Sequence, residues 1–201
     1  MMTSALPIVS RRDALRYGLL GAAGFAGLGL ARPGRAATSA TPGDSLYQLR
    51  AALVDQDGHA FELVSLRGHP VLVSMFYSSC EMVCPVLFET VAHTVRSLKP
   101  AVRDRLRILM VTFDPARDTL AVLKETATKH GCDAHWSLVR GSDTDVRRIA
   151  ALLGVQYRRL PSGEFNHSSS IELLDSEGRI VKRTATLGQD DPAFLAAIHA
   201  L

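Results

Sequence analysis

Residues 71–85 read VLVSMFYSSCEMVCP, and this stretch decides the fold. Its first seven residues form an almost unbroken apolar run, which is typical of a strand buried on both faces. Pro85 suits the first turn of a helix, and apolar residues recur at helical spacing from Leu87 to Leu98. The stretch therefore predicts a buried strand followed directly by a helix, with Cys80 and Cys84 at the junction.

The rest of the chain alternates strands with helices. The pattern predicts short strands at residues 47–54 and 60–66 around a turn, a second buried strand at 107–113, a helix capped by Asp118 or Thr119, a strand at 137–139, a helix at 143–153, a hairpin at 170–184 and a last helix from Pro192. This order indicates an α/β sandwich with a central mixed sheet that includes parallel strands, and an N-terminal β-hairpin extension. A cysteine pair at a strand–helix junction makes a thioredoxin-like fold the expected architecture.

The first 36 residues are typical of an export signal. A basic start is followed by the apolar run Tyr17–Leu30 and by small residues around Arg35. The pair Arg11-Arg12 is similar to a twin-arginine signal, while a general secretion signal and an uncleaved anchor stay open as alternatives. We therefore expect a leader at 1–36, a linker at 37–45 and a working domain at 46–201, in the periplasm or on the outer face of the cytoplasmic membrane.

The positive charge of the chain lies in this leader. The formal net charge is +3, but residues 1–36 hold five arginines and one acid. Residues 37–201 then carry 18 basic and 19 acidic side chains, a net charge of −1. Binding to nucleic acid is therefore not expected.

The two cysteines of the junction point to metal or redox chemistry. A helix N-terminus lowers the pKa of a nearby thiol and so favours the thiolate, which binds metals and exchanges disulfides. The alternative is a pair of buried structural cysteines. Such a pair is rarely idle in an exported protein, because thiols there meet an oxidising environment.

A histidine and two carboxylates complete the candidate site. His167 precedes the last hairpin, in a loop that lies beside the cysteine loop in a thioredoxin-like fold. Two thiolates with one imidazole favour Cu(I) and can hold Cu(II), whereas a lone loop histidine is more often solvated. Asp114 and Asp118 follow the second buried strand, where they could hold a ligand or steer a partner; capping of a helix by Asp118 or Thr119 is the alternative.

Three segments together resemble the Sco/SenC family of copper-handling proteins, which assist assembly of the binuclear copper centre of cytochrome oxidase. They are the Cys80–Pro85 motif, the stretch Asp114-Pro-Ala-Arg-Asp-Thr119 and the late His167-Ser168. The resemblance covers roughly residues 45–200. It implies that Cys80, Cys84 and His167 are copper ligands, that the two cysteines form a reversible disulfide, and that Asp114 affects copper binding or partner docking. Glu81 departs from the proline or other uncharged residue that many relatives carry.

These observations lead to two hypotheses. The first is a metallochaperone, rather than an enzyme with turnover, that takes up copper and delivers it to the cytochrome oxidase subunit with the binuclear centre or to another exported copper protein. The second is a thiol–disulfide oxidoreductase in which Cys80 attacks and Cys84 resolves, served by a thiol reductant. A thiol peroxidase is disfavoured because residues 76–79, directly before Cys80, do not fit the Pro-x-x-x-Thr-x-x-Cys motif in which such enzymes resemble one another. Nothing in the sequence demands more than a monomer. A cluster of His130, Cys132 and His135 is interpreted as a core junction rather than a second metal site.

Overall fold

Nine strands and five helices make up residues 43–201, the part of the chain that this computed structural model describes. The strands are β1 Leu53–Asp55, β2 Ala60–Phe61, β3 Val71–Phe76, β4 Arg107–Thr112, β5 Trp136–Arg140, β6 Tyr157–Arg159, β7 Phe165–His167, β8 Ile171–Leu174 and β9 Ile180–Thr184. The helices are α1 Val83–Ser97, α2 Pro100–Arg103, α3 Leu120–Lys129, α4 Asp143–Leu153 and α5 Pro192–His199. The predicted leader at 1–36 lies outside the described residues.

Seven of these strands form one mixed sheet in the order β2-β1-β5-β4-β3-β8-β9. The central strands β3, β4 and β5 are parallel, while β8 pairs antiparallel with β3 and β1 pairs antiparallel with β5. The N-terminal hairpin thus joins the edge of the sheet, and β6 and β7 form a separate two-stranded ribbon. The predicted mixed α/β architecture is confirmed.

The centre of the sheet is the core of the protein. All six residues of β3 are buried, and five of the six in β4 are buried as well, as expected for strands covered on both faces. Phe88 of α1 packs edge-on against Phe76, with ring centroids 5.2 Å apart. This packing fixes the end of β3 and the start of α1, and therefore the loop between them.

The first hairpin is shorter than the sequence predicts. The sequence predicts strands at 47–54 and 60–66, but Leu46–Gln48 and Leu63–Leu66 are 3-10 turns that flank β1 and β2. The apolar side chains that favour longer strands in the sequence are instead buried from these turns, with Leu46 and Leu63 almost fully enclosed. Burial from a turn leaves the same apolar signal in the sequence as burial from a strand.

The ribbon of β6 and β7 is absent from the sequence prediction. Each strand has three residues, and most of their side chains are at least partly exposed, so the alternating pattern that marks a strand is missing. His167, expected in a loop, is instead the last residue of β7 and pairs with Tyr157.

Helix boundaries follow the predicted signals closely. Thr119 caps α3, since its hydroxyl accepts from the Val122 N–H, and Gly154 ends α4 in the left-handed conformation. The short helix α2 follows Lys99 and was not predicted. Among the helices of residues 43–201, none has the length and apolar character needed to cross a lipid bilayer.

Candidate metal centre

The two cysteines lie where β3 gives way to α1. Cys80 is on the connecting loop and Cys84 is the second residue of the helix. The backbone N–H of Cys84 donates to Cys80 Sγ at 3.4 Å, so the start of the helix is folded against the first thiol. Both thiols are free, and both are largely buried.

The surroundings make the two thiols chemically different. Burial opposes ionisation of Cys80, but hydrogen bonds from the backbone N–H and side chain of Cys84 and from the N–H groups of Met82 and Val83 outweigh it, so the pKa of Cys80 is lowered. Burial raises the pKa of Cys84, and the nearby charges of Cys80 and Asp118 raise it further. Cys80 is therefore the thiol that ionises first.

His167 approaches the cysteines from the ribbon. One ligand atom from each of Cys80, Cys84 and His167 lies within 4.8 Å of the others. Ligand atoms about 2.0–2.3 Å from a common ion are separated by less than about 4.6 Å, so the three need to move together only slightly. The cluster can therefore hold one metal ion.

Polar and aromatic contacts orient the imidazole. Nδ1 lies 3.2 Å from the carbonyl oxygen of Ser168 and 3.2 Å from the hydroxyl of Ser169. The ring meets Phe113 at 5.1 Å and stands edge-on to Tyr77 at 5.8 Å between centroids. These contacts engage Nδ1, and Nε2 has no hydrogen-bond partner among residues 43–201, so the ring is pre-oriented in the way that metal-ligating histidines usually are.

The cluster opens into a groove of about 490 Å³ that leads to solvent. Its exposed rim includes Met82, which is 82% exposed, and the carboxylates of Glu81 and Glu164. The hydroxyl of Tyr77 donates to Glu164 Oε2 at 2.7 Å, and burial followed by this hydrogen bond raises the pKa of Tyr77. The sequence did not point to Tyr77 or Glu164, because one belongs to a buried apolar run and the other to a polar turn.

Asp118 holds the cysteine loop rather than capping a helix. Its carboxylate is 1% exposed and accepts hydrogen bonds from the Ser78 N–H at 3.2 Å, from the Ser78 hydroxyl and from the Thr112 hydroxyl. Ser78 lies two residues before Cys80. Asp118 thus ties the loop to the end of β4, and the cap of α3 is Thr119 alone.

Whereas Asp118 acts on the cysteine loop, Asp114 acts on the part of the site that carries His167. Its carboxylate, 3% exposed, is paired with Arg117. Arg117 in turn donates from Nη2 to the Gly163 carbonyl oxygen at 2.6 Å and lies over the Phe165 ring at 5.9 Å. The pair therefore connects the end of β4 to the ribbon that carries His167.

The remaining histidine and cysteine candidates do not form a site. His130 stacks on Phe88 at 4.2 Å, and His135 Nδ1 lies 3.0 Å from Arg107 Nη1. Burial raises the pKa of Cys132 to about 12. Within residues 43–201, the group of three at Cys80, Cys84 and His167 is the one found within the reach of a single ion.

Known proteins share both the sequence pattern and the fold. A family model described as SCO1/SenC matches residues 40–201. The SCO2-like protein RP587 of Rickettsia prowazekii is 29% identical over 136 residues, which cover 65% of this chain and 65% of the relative's length. The SCO1 protein homolog of Bacillus subtilis is 27% identical over 132 residues, covering 64% of this chain and 68% of the relative.

A solved structure extends the comparison to three dimensions. Bradyrhizobium japonicum ScoI with copper bound is 25% identical, superposes with a TM-score of 0.64, and is matched over 75% of this chain and 96% of its own. The predicted thioredoxin-like fold is thereby confirmed. With the family model covering the whole domain that carries the cysteine loop and His167, the chain belongs to the SCO1/SenC family.

Proposed function

We propose that this chain is a copper metallochaperone that binds Cu(I) or Cu(II) through Cys80, Cys84 and His167. The observation that carries the proposal is the placement of two sulfur atoms and one imidazole nitrogen within 4.8 Å at an open groove. Soft thiolates with an imidazole favour copper over harder ions. Membership of the SCO1/SenC family and the copper bound to the related ScoI support the same metal.

The acceptor that we propose is an exported respiratory copper centre, such as the binuclear centre of cytochrome c oxidase. Three protein ligands leave copper short of a full coordination shell, so an incoming ligand can bind before a resident one leaves. The groove beside Met82 and Glu81 gives access for that exchange. Delivery then proceeds by stepwise replacement of Cys80, Cys84 and His167, without a step in which copper is free. The predicted leader supports a location outside the cytoplasm.

Uptake of copper is coupled to proton release. Cys80 is the thiol that ionises first, whereas Cys84 is protonated at neutral pH because burial raises its pKa. Binding of the ion by both sulfurs therefore displaces the Cys84 proton. The carboxylates of Glu81 and Glu164 at the rim add negative potential that attracts the cation.

The difference between the two thiols also supports a second candidate, a thiol–disulfide oxidoreductase. The Cys80 thiolate would attack a disulfide of the acceptor and form a mixed disulfide, releasing one acceptor thiolate. Cys84, on losing its proton, would then attack Cys80 Sγ and release the second acceptor thiolate. The acceptor gains two electrons, the chain is left with a Cys80–Cys84 disulfide, and a thiol reductant restores it.

Copper binding and thiol exchange separate the two candidates. We would measure copper stoichiometry and affinity for the full reduced chain by competition with a coloured Cu(I) chelator. One tightly held copper per chain, lost in His167→Ala and Cys84→Ser but kept in the controls His130→Ala and Cys132→Ser, is the result expected of a metallochaperone. Absence of tight copper together with a readily exchanged Cys80–Cys84 disulfide would replace it with the oxidoreductase.

A further inference from the structure

One segment of this nearly neutral domain is strongly basic. Residues 146–163 contain Arg147, Arg148, Arg158 and Arg159 and no aspartate or glutamate. Residues 37–201 as a whole carry one more acidic than basic side chain. The positive charge is therefore a local feature that the average composition hides.

The fold gathers part of this charge into a groove next to the metal centre. A cavity of about 800 Å³ opens between α4 and the ribbon of β6 and β7. We call it the arginine groove and define it by Arg147, Tyr157, Arg158, Asn166, His167 and Ser168, which all line it. His167 belongs both to this groove and to the group of three metal-ligating side chains. An occupant of the groove would therefore touch a copper ligand.

The two guanidinium groups of the groove are available to an anion. Within residues 43–201, neither Arg147 nor Arg158 forms an ion pair, and both side chains are exposed. The negative charge of Asp143 and the positive charge of Arg147 both act on Tyr157, so Asp143 is an acidic group near this groove. Arg148 is different, because it contacts Asp145 at 3.5 Å and the Arg50 carbonyl oxygen at 3.3 Å.

One wall of the groove is held in place before anything binds. The Arg147 guanidinium lies over the Tyr157 ring at 5.0 Å from its centroid. Tyr157 in turn stacks on the buried Phe113 at 4.9 Å, with an interplanar angle of 21°. A cation ordered on an aromatic ring loses less conformational freedom when it meets a carboxylate, so this arrangement favours binding.

We propose that the arginine groove docks an acidic segment of the protein that exchanges copper with this chain; the proposal rests on the proposed function above. Guanidinium groups bind carboxylates in bidentate pairs, and Asn166 and Ser168 offer further polar contacts. Two free arginines in a domain of net charge −1 suit a short run of carboxylates better than a long polyanion such as RNA. Docking beside His167 would place the acceptor's own ligands within reach of the copper.

The proposal can be tested without copper. We would measure binding of fluorescein-labelled hexaglutamate to the full copper-free chain by fluorescence anisotropy at low and high salt. The test variant is Arg147→Glu/Arg158→Glu. The control, Lys99→Glu/Arg105→Glu, makes the same change in charge beside α2. This site lies at the amino ends of the parallel strands β3 and β4, whereas the cysteine loop follows the carboxyl end of β3. We expect the test variant to weaken binding about tenfold or more and the control to stay within about twofold.

Two results with hexaglutamate would overturn the proposal: absence of binding, or an equal loss of binding in the test and control variants. Tighter binding of hexauridylate or of anionic phospholipid vesicles than of hexaglutamate would also overturn it. The milder variant Arg147→Gln/Arg158→Gln, checked for an unchanged circular dichroism spectrum, separates loss of charge from loss of fold. Because the assay uses no copper, a chain that binds the peptide but not the metal would refute only the metallochaperone.

Discussion

Replacement of Asp118 by alanine should both destabilise the domain and loosen the cysteine loop. The carboxylate accepts three hydrogen bonds: two come from Ser78, and the third comes from Thr112, which is fully buried. A hydrogen bond to a charged group contributes about 1.5–3 kcal/mol. Ser78 is only half-buried, so water can replace the acceptor of its hydrogen bonds. The Thr112 O–H is buried and would lose its acceptor, although the Thr112 oxygen would still accept from the Asp114 N–H at 3.0 Å.

These contributions predict that Asp118→Ala lowers the free energy of unfolding by about 3 kcal/mol. In a domain of this size, that loss corresponds to a fall in Tm of about 6–12 °C. The measurement is urea and thermal unfolding of the reduced, copper-free chain. Thr119→Ala is the matched control, since loss of a helix cap should cost only about 1 kcal/mol.

The same substitution should weaken Cu(I) binding, because Ser78 anchors the loop two residues before Cys80. Asp118→Asn keeps one acceptor oxygen and should lie between wild type and alanine in both measurements. A loss of stability under about 1 kcal/mol in Asp118→Ala, or a loss no larger than that of Thr119→Ala, would refute the reasoning. Unchanged copper affinity in a clearly destabilised variant would show that the anchor does not position the loop.

Three further predictions concern the titrating groups and the ribbon. Because the pKa of Cys80 is lowered and that of Cys84 is raised, Cys84→Ser should react with iodoacetamide faster at pH 7 than Cys80→Ser; equal rates would contradict the assigned asymmetry. Burial raises the pKa of Glu172, so this carboxyl group ionises more easily in the unfolded chain. Its contribution to the free energy of unfolding therefore falls as pH rises above the pKa of the unfolded state. Glu172→Gln should therefore reduce the fall in the free energy of unfolding as pH rises above the ordinary glutamate pKa of 4.5. An unchanged dependence of the urea midpoint on pH would exclude this carboxylate as its source. Arg117→Ala, by releasing the ribbon from β4, should weaken Cu(I) binding in the chelator competition while leaving the iodoacetamide reactivity of Cys80 unchanged.

Much of the fold could be predicted because its signals are local. The buried strands β3 and β4, the caps of α3 and α4 and the hairpin of β8 and β9 each follow from a few neighbouring residues. The sequence does not distinguish the 3-10 turns at Leu46 and Leu63 from strands, because burial leaves the same apolar signal in either conformation. The ribbon was missed because its short strands carry exposed arginines in place of an apolar alternation.

The candidate site divides in the same way. Asp114 and Asp118 stand four residues apart after one strand, and the sequence predicts that either could hold a ligand or steer a partner, with helix capping as the alternative for Asp118. Packing distinguishes them, because Asp118 faces Ser78 of the cysteine loop while Asp114 pairs with Arg117, which reaches Gly163 of the ribbon. Which carboxylate meets which partner depends on side chains that are distant along the chain.

By itself, the sequence determined the cysteine pair and its chemistry, since a spacing of four residues across the strand–helix junction brings Cys80 and Cys84 together by local geometry. It also determined the parallel strands that set this loop at one edge of the sheet. Only the tertiary structure decided that His167 closes the cluster from a strand, that two aspartates hold its two halves, and that Arg147 and Arg158 line a groove beside it. Contacts between residues more than forty positions apart depend on how the ribbon packs on the sheet, and that packing is a property of the folded core rather than of any short segment.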